Sequence, residues 1–105
     1  MSIAGYVVLM LKFQRVGRRW TAYCEELGTA TFGRSLPEAE KKLKEAVLLH
    51  LNTLEEVGER NRFFQEHNIE LHHTKPKKDM TVFLPLTTSI FVEPHVEPIH
   101  ELSVV

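Results

Sequence analysis

Cysteine is almost missing from this chain: Cys24 stands alone, so no internal disulfide can form and packing and hydrogen bonding must hold the fold. That usage fits a reducing cytoplasm, where the protein is expected to reside. No apolar run reaches about 18 residues, and the start has no basic segment leading into a hydrophobic stretch and a cleavage site, so neither membrane spanning nor export is expected. An excess of one charge sign is also missing. Thirteen basic residues stand against 14 acidic ones for a net charge of -1, whereas a protein whose main task is gripping a phosphate backbone normally carries a basic face. Arg15, Arg18 and Arg19 in the first turn, and Lys75, Lys77 and Lys78 around Pro76, are short enough clusters to read as solvated loops. A glycine-rich phosphate loop is lacking too, because Gly28 and Gly33 flank a strand.

What is present is an ordinary globular composition, 43% hydrophobic and 26% charged over 105 residues, enough for one core and too little for two. Its most informative stretch is Gly28-Thr29-Ala30-Thr31-Phe32-Gly33-Arg34-Ser35-Leu36-Pro37-Glu38-Ala39, which reads as strand, tight turn and helix start. Ser35 can accept the backbone N–H of Glu38 while the Glu38 carboxylate reaches back to the Ser35 N–H. Pro37 lies in the first helical turn, where its missing donor costs least. Upstream, Tyr6 to Leu11 is an apolar run suited to a central strand covered on both faces. Val16-Gly17-Arg18 then makes a turn into a second strand over Trp20 to Tyr23, and Thr29 to Phe32 makes a third.

The spacing predicts a helix from about Leu36 to Val57, with Leu36, Ala39, Leu43, Ala46, Val47, Leu54 and Val57 on the stripe that covers the sheet. His50 falls inside that stripe and reads as a core histidine with one ring nitrogen satisfied. Leu48 and Leu49 point away from it, among Lys41, Lys42, Lys44 and Glu45, and need another cover. Gly58 is a natural stop, and Glu59 to His67 looks like a short second helix anchored by Phe63 and Phe64 and ended by Asn68. A further strand fits Ile69 to Leu71 or Met80 to Leu84 equally well. From Thr74 onward Pro76, Pro85, Pro94 and Pro98 punctuate the apolar pieces, which predicts edge strands or an extended arm laid along a surface.

Six histidines raise a metal hypothesis, best represented by His72-His73 and by Glu93, His95, Glu97 and His100. Adjacent strand residues face opposite sides, which separates His72 from His73. Glu93, His95 and Glu97 alternate as one strand face would require, but the flanking Pro94 and Pro98 argue against an ordered strand there. No His-Glu-x-x-His helix or cysteine pair supplies a closed site, so no metal and no cofactor are predicted. Cys24 precedes Glu25 and Glu26, whose charge disfavours a thiolate, and no nucleophile elbow is present. Tyr6 to Leu11 contains no acid and Glu38, Glu40 and Glu45 spread around the helix, so no acidic cluster is expected on the sheet and no nuclease activity from it. No catalytic residue is assigned.

The wording of Trp20-Thr21-Ala22-Tyr23, of Leu27 to Gly33 and of Ser35-Leu36-Pro37-Glu38-Ala39, together with the order strand, strand, strand, helix, resembles the HicB antitoxin family and its stand-alone relatives over roughly Gly5 to His67. The resemblance implies an α+β fold of the partial ribonuclease-H-like kind: a three-stranded antiparallel sheet, a long helix packed on it and one more strand, β-β-β-α-β. Residues 1–74 would form that domain and 75–105 an extended arm, a candidate oligomerisation strand. It also implies a non-catalytic binding role, the neutralisation of a small HicA-like toxin that cleaves messenger RNA. Family members often repress their own operon through an added DNA-binding segment. The prolines of Asp79 to Val105 forbid two consecutive helices, so DNA binding by this chain alone is not expected. Two alternatives stay open: an orphan homo-oligomeric scaffold of the same fold, and an RNA-binding module. The expected interface of a homodimer or larger assembly comprises Leu48, Leu49, Val82, Phe83, Leu84, Ile90, Phe91 and Val92.

Overall fold

The Tyr6 to Leu11 run lies inside a strand far longer than itself. In the computed structural model, which describes residues 2–76, 84–87 and 90–101, β1 covers Ser2–Val16 and is followed by β2 (Arg19–Cys24), β3 (Thr29–Gly33), α1 (Leu36–Glu56), α2 (Arg60–Glu66), β4 (Leu84–Thr87) and β5 (Ile90–Glu101). The strands form one antiparallel sheet in the order β3-β2-β1-β5-β4, and α1 packs on it, so the α+β class holds. None of the described helices is long and apolar enough to cross a membrane.

The C-terminal segment departs from the sequence expectation. Instead of lying as an arm on the surface, β5 pairs with β1 along nearly its whole length, from Ser2 opposite Glu101 to Gln14 opposite Ile90, and β1 becomes the middle strand of five. The prolines permit this because of where they fall. Pro98 stands opposite Tyr6, whose N–H and C=O are both spent on the other side, on the His72 backbone at 2.7 Å each. Pro94 stands opposite Met10, whose N–H also turns the other way, to the Glu26 carboxylate at 2.9 Å. Both are therefore non-hydrogen-bonded pairs, in which a proline has no ladder bond to lose. Past Val92 no described strand lies on the outer side of β5. Ile69 to Leu71 forms no strand, leaving only the isolated Tyr6–His72 bridge, and Met80 to Phe83 lie outside the described residues.

Alternation along β1 decides which side is the core. Val7, Leu9, Leu11 and Phe13 are fully buried, joined by Ala22 and Cys24 of β2 and by Ala39, Leu43, Val47 and Leu51 of α1. At about 1.5–3 kcal/mol for each large buried side chain, this one-sided layer supplies most of the driving force for folding. The opposite face is not covered as the apolar run suggested: Met10 and Tyr23 are each 42% exposed and Phe32 56%, with Lys12, Arg19 and Thr21 exposed beside them.

Helix α1 starts where the sequence places it. Ser35 sits in extended conformation as N-cap and its Oγ accepts the Glu38 N–H at 3.2 Å, while the Glu38 carboxylate turns to Lys42 Nζ at 3.1 Å, so only the serine half of the capping box forms. Gly33 makes the tight passage from β3 possible, since a Cβ there would lie 2.6 Å from the Ala39 nitrogen. Leu51 joins the buried stripe although the sequence reading omitted it, and Val57, at the C-cap beyond the last turn, is 62% exposed. Gly58, at φ +72, provides the left-handed stop. Arg60 of α2 then clamps back on Glu55 at 2.7 Å, and Phe64 seats α2 on the core.

Candidate functional site

Pairing of β5 with β1 places chemistry where the sequence reading expected none. In an antiparallel pair directly opposed residues share a face. Glu93, His95 and Glu97 stand opposite Leu11, Leu9 and Val7, so all three point to the helix side. There they meet Glu40 and Lys44 on α1. Lys44 Nζ lies 3.3 Å from Glu40 Oε1 and 3.6 Å from Glu93 Oε1, and His95 Nε2 lies 3.7 Å from Glu97 Oε1. The sequence reading did not foresee this meeting of Glu93 with Glu40: the acids come from the tail strand and from the helix, and none from β1.

The two facing carboxyl groups are unlike. Burial first, then the adjacent Glu40 carboxyl, pushes Glu93 above the ordinary carboxylate range, against the pull of Lys44. Burial works to raise Glu40 too, but Glu93 and Lys44 outweigh it and hold that group low. A proton on this pair therefore resides on Glu93. Among the described residues no three histidine, cysteine or acidic side chains are grouped so as to hold a metal ion.

Between α1 and β5 the cluster opens into a cavity of about 480 Å³ whose wall includes Glu40, Glu45, Leu48, His95 and Glu97. Leu48 is 41% exposed and Leu49, beside it on the helix back, 68% exposed. Of the other interface candidates, Phe91 faces the helix side opposite Phe13, with its ring 5.7 Å from that of Trp20, and packs against the core. Ile90 and Val92 occupy the opposite face of β5, Leu84 opens β4 opposite Val92, and Val82 and Phe83 fall outside the described residues.

The remaining reactive candidates are occupied by packing. Cys24 is fully buried, and its thiol is pushed up to about 11, mainly by burial, with the Glu26 charge cited from sequence as a smaller contribution. His50 Nδ1 pairs with Thr29 Oγ1 at 3.2 Å and its ring meets Phe63 edge-on at 5.4 Å, as a core histidine should. His72 is engaged through its backbone in the bridge to Tyr6, and His73 is exposed. The Glu40–Lys44 partnership went unnoticed in sequence, although the i,i+4 spacing of opposite charges was its available signal. No protein family, curated protein or solved structure matches this chain.

Proposed function

We propose that the chain is a non-catalytic protein-binding module of the HicB-like kind, which neutralises a small, basic, HicA-like messenger-RNA-cleaving toxin by seating it in the α1–β5 groove. The observation that carries this reading is the juxtaposition of exposed Leu48 with Glu45, Glu40 and Glu97 around one cavity, whose wall also holds Lys41 and Lys44. With Glu40 already paired to Lys44, the exposed Glu45 and the partly buried Glu97 beside this apolar anchor suit a partner surface of an apolar side chain flanked by a lysine or arginine, and Lys41 on the same wall suits an acidic group there. The three strands followed by a serine-capped helix agree with the arrangement the resemblance implies. The buried, protonated Cys24 and the engaged His50 offer no nucleophile or base to a substrate.

Coexpression with each small basic open reading frame encoded beside it tests the reading. Growth rescue together with a stable complex on gel filtration is expected, and Leu48→Glu combined with Glu45→Lys abolishes both while the variant stays folded. If no such neighbour binds, the antitoxin reading fails. A second reading, a homodimer joined through the helix backs, is favoured by the exposure of Leu49. Light scattering decides it, because a monomer at micromolar concentration removes the dimer.

A further inference from the structure

The open face of the sheet carries a segregation of charge that the net value of -1 conceals. Strand alternation sends Glu93 and Glu97 to the helix side, and none of the outward positions on β1, β2 and β3 from Met10 onward is acidic. That surface instead holds two exposed aromatics, Tyr23 and Phe32, and two exposed cations, Lys12 and Arg19. Tyr23 pairs with Ala30 and Thr21 with Phe32, which makes the two rings diagonal neighbours on one face. The Arg19 guanidinium lies 5.6 Å from the centre of the Phe32 ring and Lys42 Nζ lies 5.9 Å from it.

At the Phe32 end the face continues into a cavity of about 310 Å³ lined by Arg19, Phe32, Arg34, Glu38 and Lys42, with the Gly33 backbone as part of its wall. Glu38 is paired with Lys42 at 3.1 Å and also feels the charge of Arg34, while Arg19 has no carboxylate within ion-pair distance among the described residues. The Arg19 guanidinium, with no carboxylate partner among the described residues, therefore borders an exposed ring, and Arg34 adds a second cation on the same wall, shared with Glu38. At the other end, Met10, Lys12 and Tyr23 line a groove shared with Glu25 and Val92. Aromatic platforms interleaved with cations on a flat strand surface are what unpaired bases and their phosphates require, and a duplex would hide the bases from those rings.

We propose that this face binds single-stranded nucleic acid, with Phe32 and Tyr23 stacking successive bases and Arg19, Arg34 and Lys12 holding the phosphates between them. This site lies across the sheet from the α1–β5 groove and does not rest on the antitoxin reading. It uses the local cations that the balanced composition seemed to leave idle.

Fluorescence anisotropy of the full chain with labelled oligouridine and oligothymidine of about a dozen nucleotides tests it. Saturable binding is expected, weakening as salt rises and poorly competed by duplex of the same length. Phe32→Ala and Tyr23→Ala should each weaken it about tenfold, and Arg19→Ala should weaken it and reduce the salt slope by about one. All three positions are exposed, and circular dichroism verifies that the variants fold. Phe32→Trp should keep affinity and show fluorescence quenching on binding, a readout that a structural role for the ring would not give. Preference for uridine identifies RNA, and equal affinity identifies single strands of either sugar. No binding at low salt, binding untouched by Phe32→Ala, or capture of polyglutamate in place of either oligonucleotide overturns the proposal.

Discussion

Pro94 faces Met10 across the sheet, and the Met10 N–H points away from it into the Glu26 carboxylate, 2.9 Å to one oxygen and 3.2 Å to the other. This arrangement lets β5 form although it contains two prolines. β2 ends at Cys24, opposite Leu11, so the next β1 donor would meet no strand, and the Glu26 side chain replaces the missing ladder. Glu26→Ala is expected to cost about 1 kcal/mol, the value of one charge-assisted bond at a partly exposed site, whereas Glu26→Gln retains part of it. Urea unfolding of the two variants measures the difference.

The same parity directs the absent N–H of Pro94 and Pro98 to the outer side of β5, where no strand among the described residues pairs past Val92, and there it denies donors to an incoming strand. Pro94→Val combined with Pro98→Val should leave unfolding midpoints nearly unchanged but raise self-association, seen as a concentration-dependent mass in light scattering. A variant that stays as monodisperse as the parent would show that the edge is protected by something else.

Gly33 has no room for a side chain. A methyl group there meets the Ala39 backbone nitrogen at 2.6 Å, and backbone cannot swing aside as a side chain can. Gly33→Ala should therefore destabilise by about 2 kcal/mol or more and lower the thermal midpoint accordingly. Gly28→Ala, with open space around the new methyl, should lose only the backbone preference of its positive φ.

Glu93 and Glu40 predict opposite pH dependence. Glu93 holds its proton more tightly folded than unfolded, so its ionisation costs stability as pH rises through its raised folded value, and that cost is absent in acid. Glu93→Gln should accordingly stabilise the protein at neutral pH, with the advantage vanishing below the ordinary glutamate range. Glu40 is held low, so it contributes stability above its unfolded value that is lost as pH falls through the folded one. Glu40→Gln should be the less stable variant at neutral pH and converge on the parent in acid. Unfolding curves across pH separate the two.

Cys24 should be inert to thiol reagents at neutral pH while the protein is folded, because its thiol is buried and held at about 11. Labelling that appears only with denaturant, at the rate of global unfolding, confirms this. Rapid labelling of the native protein would mean that the β2 edge of the core opens locally.

Much of the fold was legible because its signals are local. The Ser35 cap, the helix to Glu56, the Gly58 stop and the short helix around Phe63 and Phe64 depend on residues within a few positions of one another, and all appear as the spacing predicts. The apolar stripe was legible for the same reason, apart from Leu51 and Val57, where the end of the helix shifts the boundary.

The site was illegible because it is not local. Glu93, His95 and Glu97 already alternate in the sequence, but whether they face solvent, the helix or nothing depends on a pairing across roughly eighty residues. A one-residue slip in that register would have turned all three to the other face. By itself the sequence determined the first three strands, the two helices and most of the buried stripe of α1, since these follow from capping, periodicity and the backbone preferences of glycine and proline. Only the tertiary structure decided that the C-terminal segment becomes a strand beside β1. That one pairing sends the acids to the helix side, and strand alternation leaves aromatics and cations on the open face, because a proline is barred from a sheet only where its missing N–H would have been used.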